Sequence, residues 1–258
     1  VTFPAGFQYQ DAGNGTLTLT GGGINSNAGA GFVACSAIIV QYSSTSVISA
    51  NALANSIESI KVTQATADTV FRFNVVDDNG SGGDGAPTKI SQIVIAQGPS
   101  NGSPPPTTIT AWKDVILGAV LSDGLNSYTL DSTSFAAAAT NTTITFSGIP
   151  NTASTDLGYV VDNATKTYTL SIFLKRAQVN PTTIDGTNLV FQVANTNLTV
   201  PATSSQVSAT STNSGSTNNV IDVQATRLDF ITQWATNAAQ SYDAALSPNP
   251  TARARDAN

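Results

Sequence analysis

"TVFRFNVVDD" (Thr69–Asp78) alternates with a period of two. Phe71, Phe73 and Val75 fall on one side, and Val70, Arg72 and Asn74 on the other. Successive side chains of a strand point to opposite faces, so this is the pattern of a strand with two unlike faces. It runs into "DDNGSGGDG" (Asp77–Gly85), where Asp, Asn and Gly carry turn chemistry.

Similar stretches recur along the chain. "TLTLT" (Thr16–Thr20) alternates, and "SAIIVQY" (Ser36–Tyr42) is an apolar run of strand length. "ISQIVIAQG" (Ile90–Gly98), "TTITFSGI" (Thr142–Ile149), "KTYTLSIFLKR" (Lys166–Arg176), "NLVFQVA" (Asn188–Ala194) and "RLDFITQW" (Arg227–Trp234) follow. Each is bounded by Gly, Pro, Asn, Asp or Ser. Many short strands with turns between them predict an all-β fold, an antiparallel sandwich.

Two segments are compatible with helix. "SANALANSIESIK" (Ser49–Lys61) has the composition around Ala50 to Glu58. "ITAWKDVILGAVLSDG" (Ile109–Gly124) spaces Trp112, Ile116 and Val120 four apart and predicts one short helix ending near Gly124. Two further stretches predict long loops or linkers: "AQGPSNGSPPPTT" (96–108) and "SSQVSATSTNSGSTNN" (Ser204–Asn219), the second mobile unless paired.

The 258 residues are enough for one large or two small domains. Only 10% are charged, against roughly 25% in an ordinary soluble domain. Thr, Ser, Asn, Gln and Gly supply the polarity instead, which suits strands better than surface helices. The net charge is −6 and the basic residues are scattered, which argues against a nucleic-acid surface. The longest apolar stretch, Ala34 to Val40, is too short to insert in a membrane. The chain carries no Met, not even at position 1, so a piece of a longer precursor or a processed product is expected. No signal peptide is visible.

The absent residue types limit the chemistry. There is no His, which rules out a Ser-His-Asp triad, a Cys-His dyad and a His-bearing zinc site. Cys35 is alone in an apolar run and reads as a small core residue. Glu58 is the one glutamate, and Asp77 and Asp78 diverge if they lie in a strand, so no carboxylate pair for glycosidase work is visible. No catalytic residue is expected, and the chain does not read as an enzyme.

The acidic loop offers a metal site. Asp77, Asp78, Asn79 and Asp84 present hard oxygens, and the glycines let the backbone wrap a calcium ion. Asp123 and Asp162 could join from elsewhere. The competing reading is a solvated turn between two strands, with no cofactor at all. Trp112 lies in an apolar stripe and reads as core. Trp234 follows a strand in a turn-like context and is the candidate for stacking on a sugar. Lys61 and Lys175 lie in strand-like apolar context, where an amide bond to Asn or Asp is conceivable.

The chain's two ends carry a resemblance. "VQATRLDFITQWATNAAQSYDAALSPNPTARARDAN" is similar to the opening of an immunoglobulin-like repeat of long bacterial surface proteins. Ala225, Thr226, Leu228, Phe230 and Gln233 match its first strand and turn. Leu246, Ser247, Pro248, Ala252, Ala254, Asp256, Ala257 and Asn258 match its second strand. The family often has Gln-Pro where this chain has Gln233-Trp234. "VTFPAGFQYQDAGNGTLTLTGGG" (Val1–Gly23) resembles the close of the same repeat. The middle resembles a larger β-sandwich module that alternates with those repeats in giant adhesin-like proteins of Bacteroidetes, including proteins of the type IX secretion and gliding-associated kind.

The resemblance implies three parts: residues 1–45 as the last strands of one immunoglobulin-like repeat, 46–225 as the large sandwich, and 226–258 as the opening strands of the next repeat. It implies an extracellular, cell-surface structural segment acting as stalk or filament and in multivalent attachment. Its partners would be neighbouring repeats of the same or an identical chain, and surface glycans. Strands near 227–256 are then expected to lack partners unless another copy supplies them. Asp68-Thr69-Val70 and Asp131-Ser132-Thr133 match the short O-glycosylation signal of that phylum, making Thr69 and Ser132 the candidate acceptors. A calcium-dependent carbohydrate-binding module and a filament subunit that polymerises by strand complementation are the alternatives.

Overall fold

A computed structural model describes residues 46–51, 53, 56–77, 85–102, 111–176, 184–215, 218–225, 227–232 and 251–255. In chain order the strands are β1 Val47–Ala50, β2 Ser56–Glu58, β3 Asp68–Val76, β4 Thr88–Lys89, β5 Gln92–Gln97, β6 Ile116–Ser122, β7 Ser127–Leu130 and β8 Thr143–Ser147. They continue as β9 Tyr159–Val160, β10 Thr165–Leu174, β11 Phe191–Ala194, β12 Leu198–Thr199, β13 Ser211–Asn213, β14 Val220–Asp222, β15 Arg227–Thr232 and β16 Thr251–Arg255. The α-helices are α1 Trp112–Val115, a single turn, and α2 Ser132–Ala138.

The fold is all-β and sandwich-like. The first sheet has the order β1-β3-β10-β6-β7, with every pair antiparallel. The second is built on β5. β8 pairs with one of its edges. β11 and β12 share the other, because Phe191 and Gln192 pair with Gln97 and Ala96, and Leu198 and Thr199 pair with Ile93 and Gln92. A 3-10 turn at Asn195–Asn197 bulges between them. β13 completes this sheet beyond β11.

One apolar core lies between the sheets and runs from Ile48 to Ile221. Phe71, Phe73 and Val75 enter it from β3, and Tyr168, Leu170 and Ile172 from β10. Ile93 and Ile95, with Ile144 and Phe146, enter from the second sheet. Phe73 and Tyr168 stack with centroids 5.2 Å apart, and Trp112 lies 4.8 Å from Phe191. Burying each such ring stabilises the fold by about 1.5–3 kcal/mol.

Both lateral edges are closed, which limits pairing with foreign strands. On one side Ser46 bridges to Val207, and the Ile48 N–H donates to Thr210 Oγ1 at 2.8 Å. On the other, the Tyr128 hydroxyl donates to the Ser147 carbonyl, and α2 packs over β6, β7 and β8. The parallel pair β2–β14 buries Ile57 and Ile221.

Four expectations need correction. The stretch 109–124 is not one helix: α1 ends at Val115, and Ile116–Ser122 is a strand between β10 and β7. Its neighbours supply every ladder partner, which outweighs a weak helical spacing. Of the segment 49–61, Ser49 and Ala50 end β1 and Ser56–Glu58 form β2, and its described residues hold no helix. Ser204–Asn219 is not a free linker where it is described, since Ser204 and Ser205 are fully buried and Ser211–Asn213 pairs with β11. Finally, β15 and β16 do not lack partners: they pair with each other, Leu228 opposite Ala254 and Phe230 opposite Ala252.

The longer helix, α2, starts at Asp131. Its carboxylate accepts hydrogen bonds from the N–H groups of Thr133 and Ser134 and caps the first turn. The Asp-Ser-Thr tripeptide that matches a glycosylation signal is therefore also an N-cap. "TLTLT", "SAIIVQY", Cys35 and Trp234 lie outside the described residues.

Candidate functional site

The root of the acidic loop is built on a buried polar chain. β3 ends as Asp77 leaves the sheet, and its N–H donates to the Ala164 carbonyl at 2.8 Å. The Asp77 side chain turns inward and is fully buried. Its Oδ2 accepts from both the N–H and the hydroxyl of Thr88, each at 2.6 Å. A carboxylate can only accept, so Thr88 Oγ1 spends its proton there. Ser46 Oγ, 2.6 Å from Thr88 Oγ1, must then donate to Thr88. Both hydroxyls are fully buried.

The neighbouring loop is pinned to the same strand. The Lys89 N–H donates to Ser204 Oγ at 2.8 Å, and Ser205 Oγ donates to the Ala86 carbonyl at 3.0 Å. Buried or part-buried, these bonds join the 204–205 segment to the chain on either side of Thr88.

Asp78, Asn79 and Asp84, the other expected calcium ligands, lie outside the described residues. Where the loop returns, the Gly85 N–H donates to Asp162 Oδ1 at 3.2 Å. Asp162 therefore stands beside the end of the acidic loop. Asp123 does not: it accepts from Lys166 Nζ at 2.9 Å and from the N–H groups of Leu125 and Asn126. Burial pushes its carboxyl up, but the bonds from Asn126, Lys166 and Leu125 outweigh that and hold it below the ordinary carboxylate value. Among the described residues no group of three or more acids, cysteines or histidines forms a metal cluster.

The two glycosylation candidates differ. Ser132 is exposed at the start of α2. Thr69 is half-buried in β3, with its hydroxyl 3.1 Å from Ser171 Oγ on β10. Trp112 is fully buried, and its ring N–H donates to Asn101 Oδ1 at 3.2 Å.

The two lysines considered for amide formation sit in ordinary polar contacts. Lys61 Nζ is 2.6 Å from Asp68 Oδ1 and 3.6 Å from Glu58 Oε2. The hydrogen bond to Asp68 outweighs desolvation and raises the Lys61 pKa. Lys175 Nζ donates to the Lys113 carbonyl.

Thr88, Ser46 and Ser204 had no signal in the sequence, because isolated Ser and Thr are common in this chain. Compared with known proteins, the chain matches no family model and no curated protein.

Proposed function

We propose that this chain is a structural repeat segment of an extracellular surface adhesin or filament, acting as stalk and in multivalent attachment, with gliding as one use. The reading places it at the cell surface, exported in the manner of type IX cargo and related to the adhesin repeats of Bacteroidetes. It assigns no catalytic residue. Neighbouring repeats are its principal partners, and many weak contacts sum through effective concentration.

One observation carries the reading. β15 and β16 form a two-stranded ribbon with exposed apolar side chains: Leu228 71% and Phe230 64% on one face, and Ile231 60% at the register shift beside them. An isolated hairpin is marginally stable in water and needs a packing partner. A neighbouring repeat laid on this face supplies one. An antibody to residues 46–225 is expected to label intact producing cells, and excising that segment from the polypeptide is expected to reduce surface attachment. Labelling that requires permeabilised cells overturns the proposal.

The same ribbon favours a second reading, a filament subunit that polymerises by strand complementation between copies. Association that grows with concentration is expected there. A chain that stays monomeric and folded at every concentration removes this second reading and leaves the stalk untouched.

A calcium-dependent carbohydrate-binding module is the third, favoured by Asp162 at the end of the acidic loop. Calcium at one hundred times its dissociation constant stabilises a fold by about 2.7 kcal/mol. A melting temperature indifferent to calcium and to chelator overturns it.

A further inference from the structure

The outward face of the first sheet is uncharged except at one point. Arg72 lies in β3, an interior strand, directly opposite Thr169 of β10, with Ser122 of β6 next in the same row. Two residues along, Asn74 stands opposite Thr167 of β10 and Ser49 of β1. The described residues that share this face in register are small, hydroxyl-bearing, amide-bearing or apolar, and none is acidic.

Arg72 is half-buried, and among the described residues it makes no ion pair. The half-buried lysines of the same sandwich are engaged: Lys61 with Asp68, Lys166 with Asp123, and Lys89 over the Tyr159 ring at 5.8 Å. A guanidinium in the middle of a sheet, flanked only by neutral hydrogen-bonding groups, has its planar fork of donors available.

The donors around it are oriented. Asn74 Oδ1 accepts from Thr167 Oγ1 at 2.8 Å and from Asn51 Nδ2 at 3.2 Å. Those two bonds fix the amide and leave Asn74 Nδ2 as the outward donor. Thr169 is the cross-strand partner of Arg72. Together they present one cation that matches a carboxylate bidentately, with amide and hydroxyl groups that match sugar hydroxyls. Neighbouring strands about 4.8 Å apart space the polar groups of a row to suit successive polar groups of a saccharide.

We propose that Arg72, with Asn74 and Thr169, binds the carboxylate of an acidic saccharide of the uronic acid type on the outward face of the first sheet. The complementarity is of charge and hydrogen bonding, and it needs neither calcium nor the acidic loop. The site therefore stands whether the stalk reading or the calcium reading holds.

The test titrates trigalacturonic acid into the intact chain, followed by calorimetry and by amide chemical shifts. Binding is expected with shifts centred on β3 and β10, unaffected by chelator. Its methyl ester, which has the same shape without the charge, is expected to bind at least about tenfold more weakly, and Arg72→Gln to cost a similar factor. Arg72→Lys keeps the charge but loses the fork and is expected to fall in between. Thr169→Val is expected to weaken binding by less, with all variants melting close to the parent. No binding at millimolar probe, equal binding of the ester, or an Arg72→Gln variant that binds like the parent overturns the proposal. Complete displacement by sulfate at equal concentration overturns the saccharide assignment.

Discussion

Asp77 and Thr88 are joined twice through one oxygen: Asp77 Oδ2 accepts both the backbone N–H and the hydroxyl of Thr88, each at 2.6 Å. The pair ties the end of β3 to β4 and, through Ser46, to the start of β1. Hydrogen bonds to a charged group contribute about 1.5–3 kcal/mol each, so Thr88→Val is expected to cost about that much. Thr88→Ser, which keeps the hydroxyl, is expected to cost under about 1 kcal/mol. Denaturant melts of both variants, and a double-mutant cycle with Asp77→Ala, check this. An additive cycle would show that the two side chains are not coupled.

The second prediction concerns acid. The hydrogen bonds to Asp123 hold its folded carboxyl below the ordinary aspartate value. A depressed folded pKa contributes stability that is present above the unfolded pKa and lost as pH falls through the folded one. Asp131 and Asp156 are shifted the same way by their turn and cap hydrogen bonds. Stability is therefore expected to be flat near neutrality and to decline below about pH 4. Asp123→Asn is expected to flatten that decline. Lys166→Met leaves a largely buried carboxylate without its cation, and breaking such a pair costs about 3 kcal/mol at neutral pH. Melting temperatures across the acid range read both effects.

Two glycines are expected to differ in what they tolerate. A Cβ on Gly158 would lie 2.1 Å from the Ile90 carbonyl oxygen, and Ile90 N–H itself donates to Gly158 O. Backbone must move, so Gly158→Ala is expected to cost about 3 kcal/mol. Gly148 has φ +71° with open space around it. Its alanine variant is expected to lose only the left-handed penalty of about 1–2 kcal/mol. Urea midpoints rank the two, and the reverse order would refute the clash argument.

The ribbon yields the fourth. Leu228 and Phe230 are exposed and stand outside the core that runs from Ile48 to Ile221. Replacing both with lysine is expected to change stability of the sandwich by no more than about 0.5 kcal/mol. The same change is expected to abolish any concentration-dependent association and to lower binding of an apolar dye. A large fall in the sandwich's own melting temperature would place the ribbon inside the core's cooperative unit.

Alternation made most strands legible: Thr69–Asp78 overlaps all of β3 but Asp68, and Lys166–Arg176 covers all of β10 but Thr165. Such strands bury every second side chain, and that period is a local property. Ile116–Ser122 was not legible, because an apolar run with Ala and Gly fits either period and only flanking partners decide. α2 was missed for the converse reason: a short alanine-rich turn has little apolar period, and its signal lay in the Asp131 cap. The candidate calcium ligands were visible as a loop, but nothing in "DDNGS" shows that Asp77 turns inward to Thr88, eleven residues on.

The sequence by itself determined the class of this protein. Low charge, alternation and dense turn residues leave few ways to bury the aromatic rings other than between sheets, and the absence of His removes whole classes of catalysis. Tertiary structure decided the rest. It settled which face the described polar residues occupy, that Ser46, Asp77 and Thr88 meet, and that Arg72 stands without an acidic partner among the described residues. Those facts depend on the register between strands far apart in the chain. A one-residue slip would exchange inside for outside, and no local stretch encodes that choice.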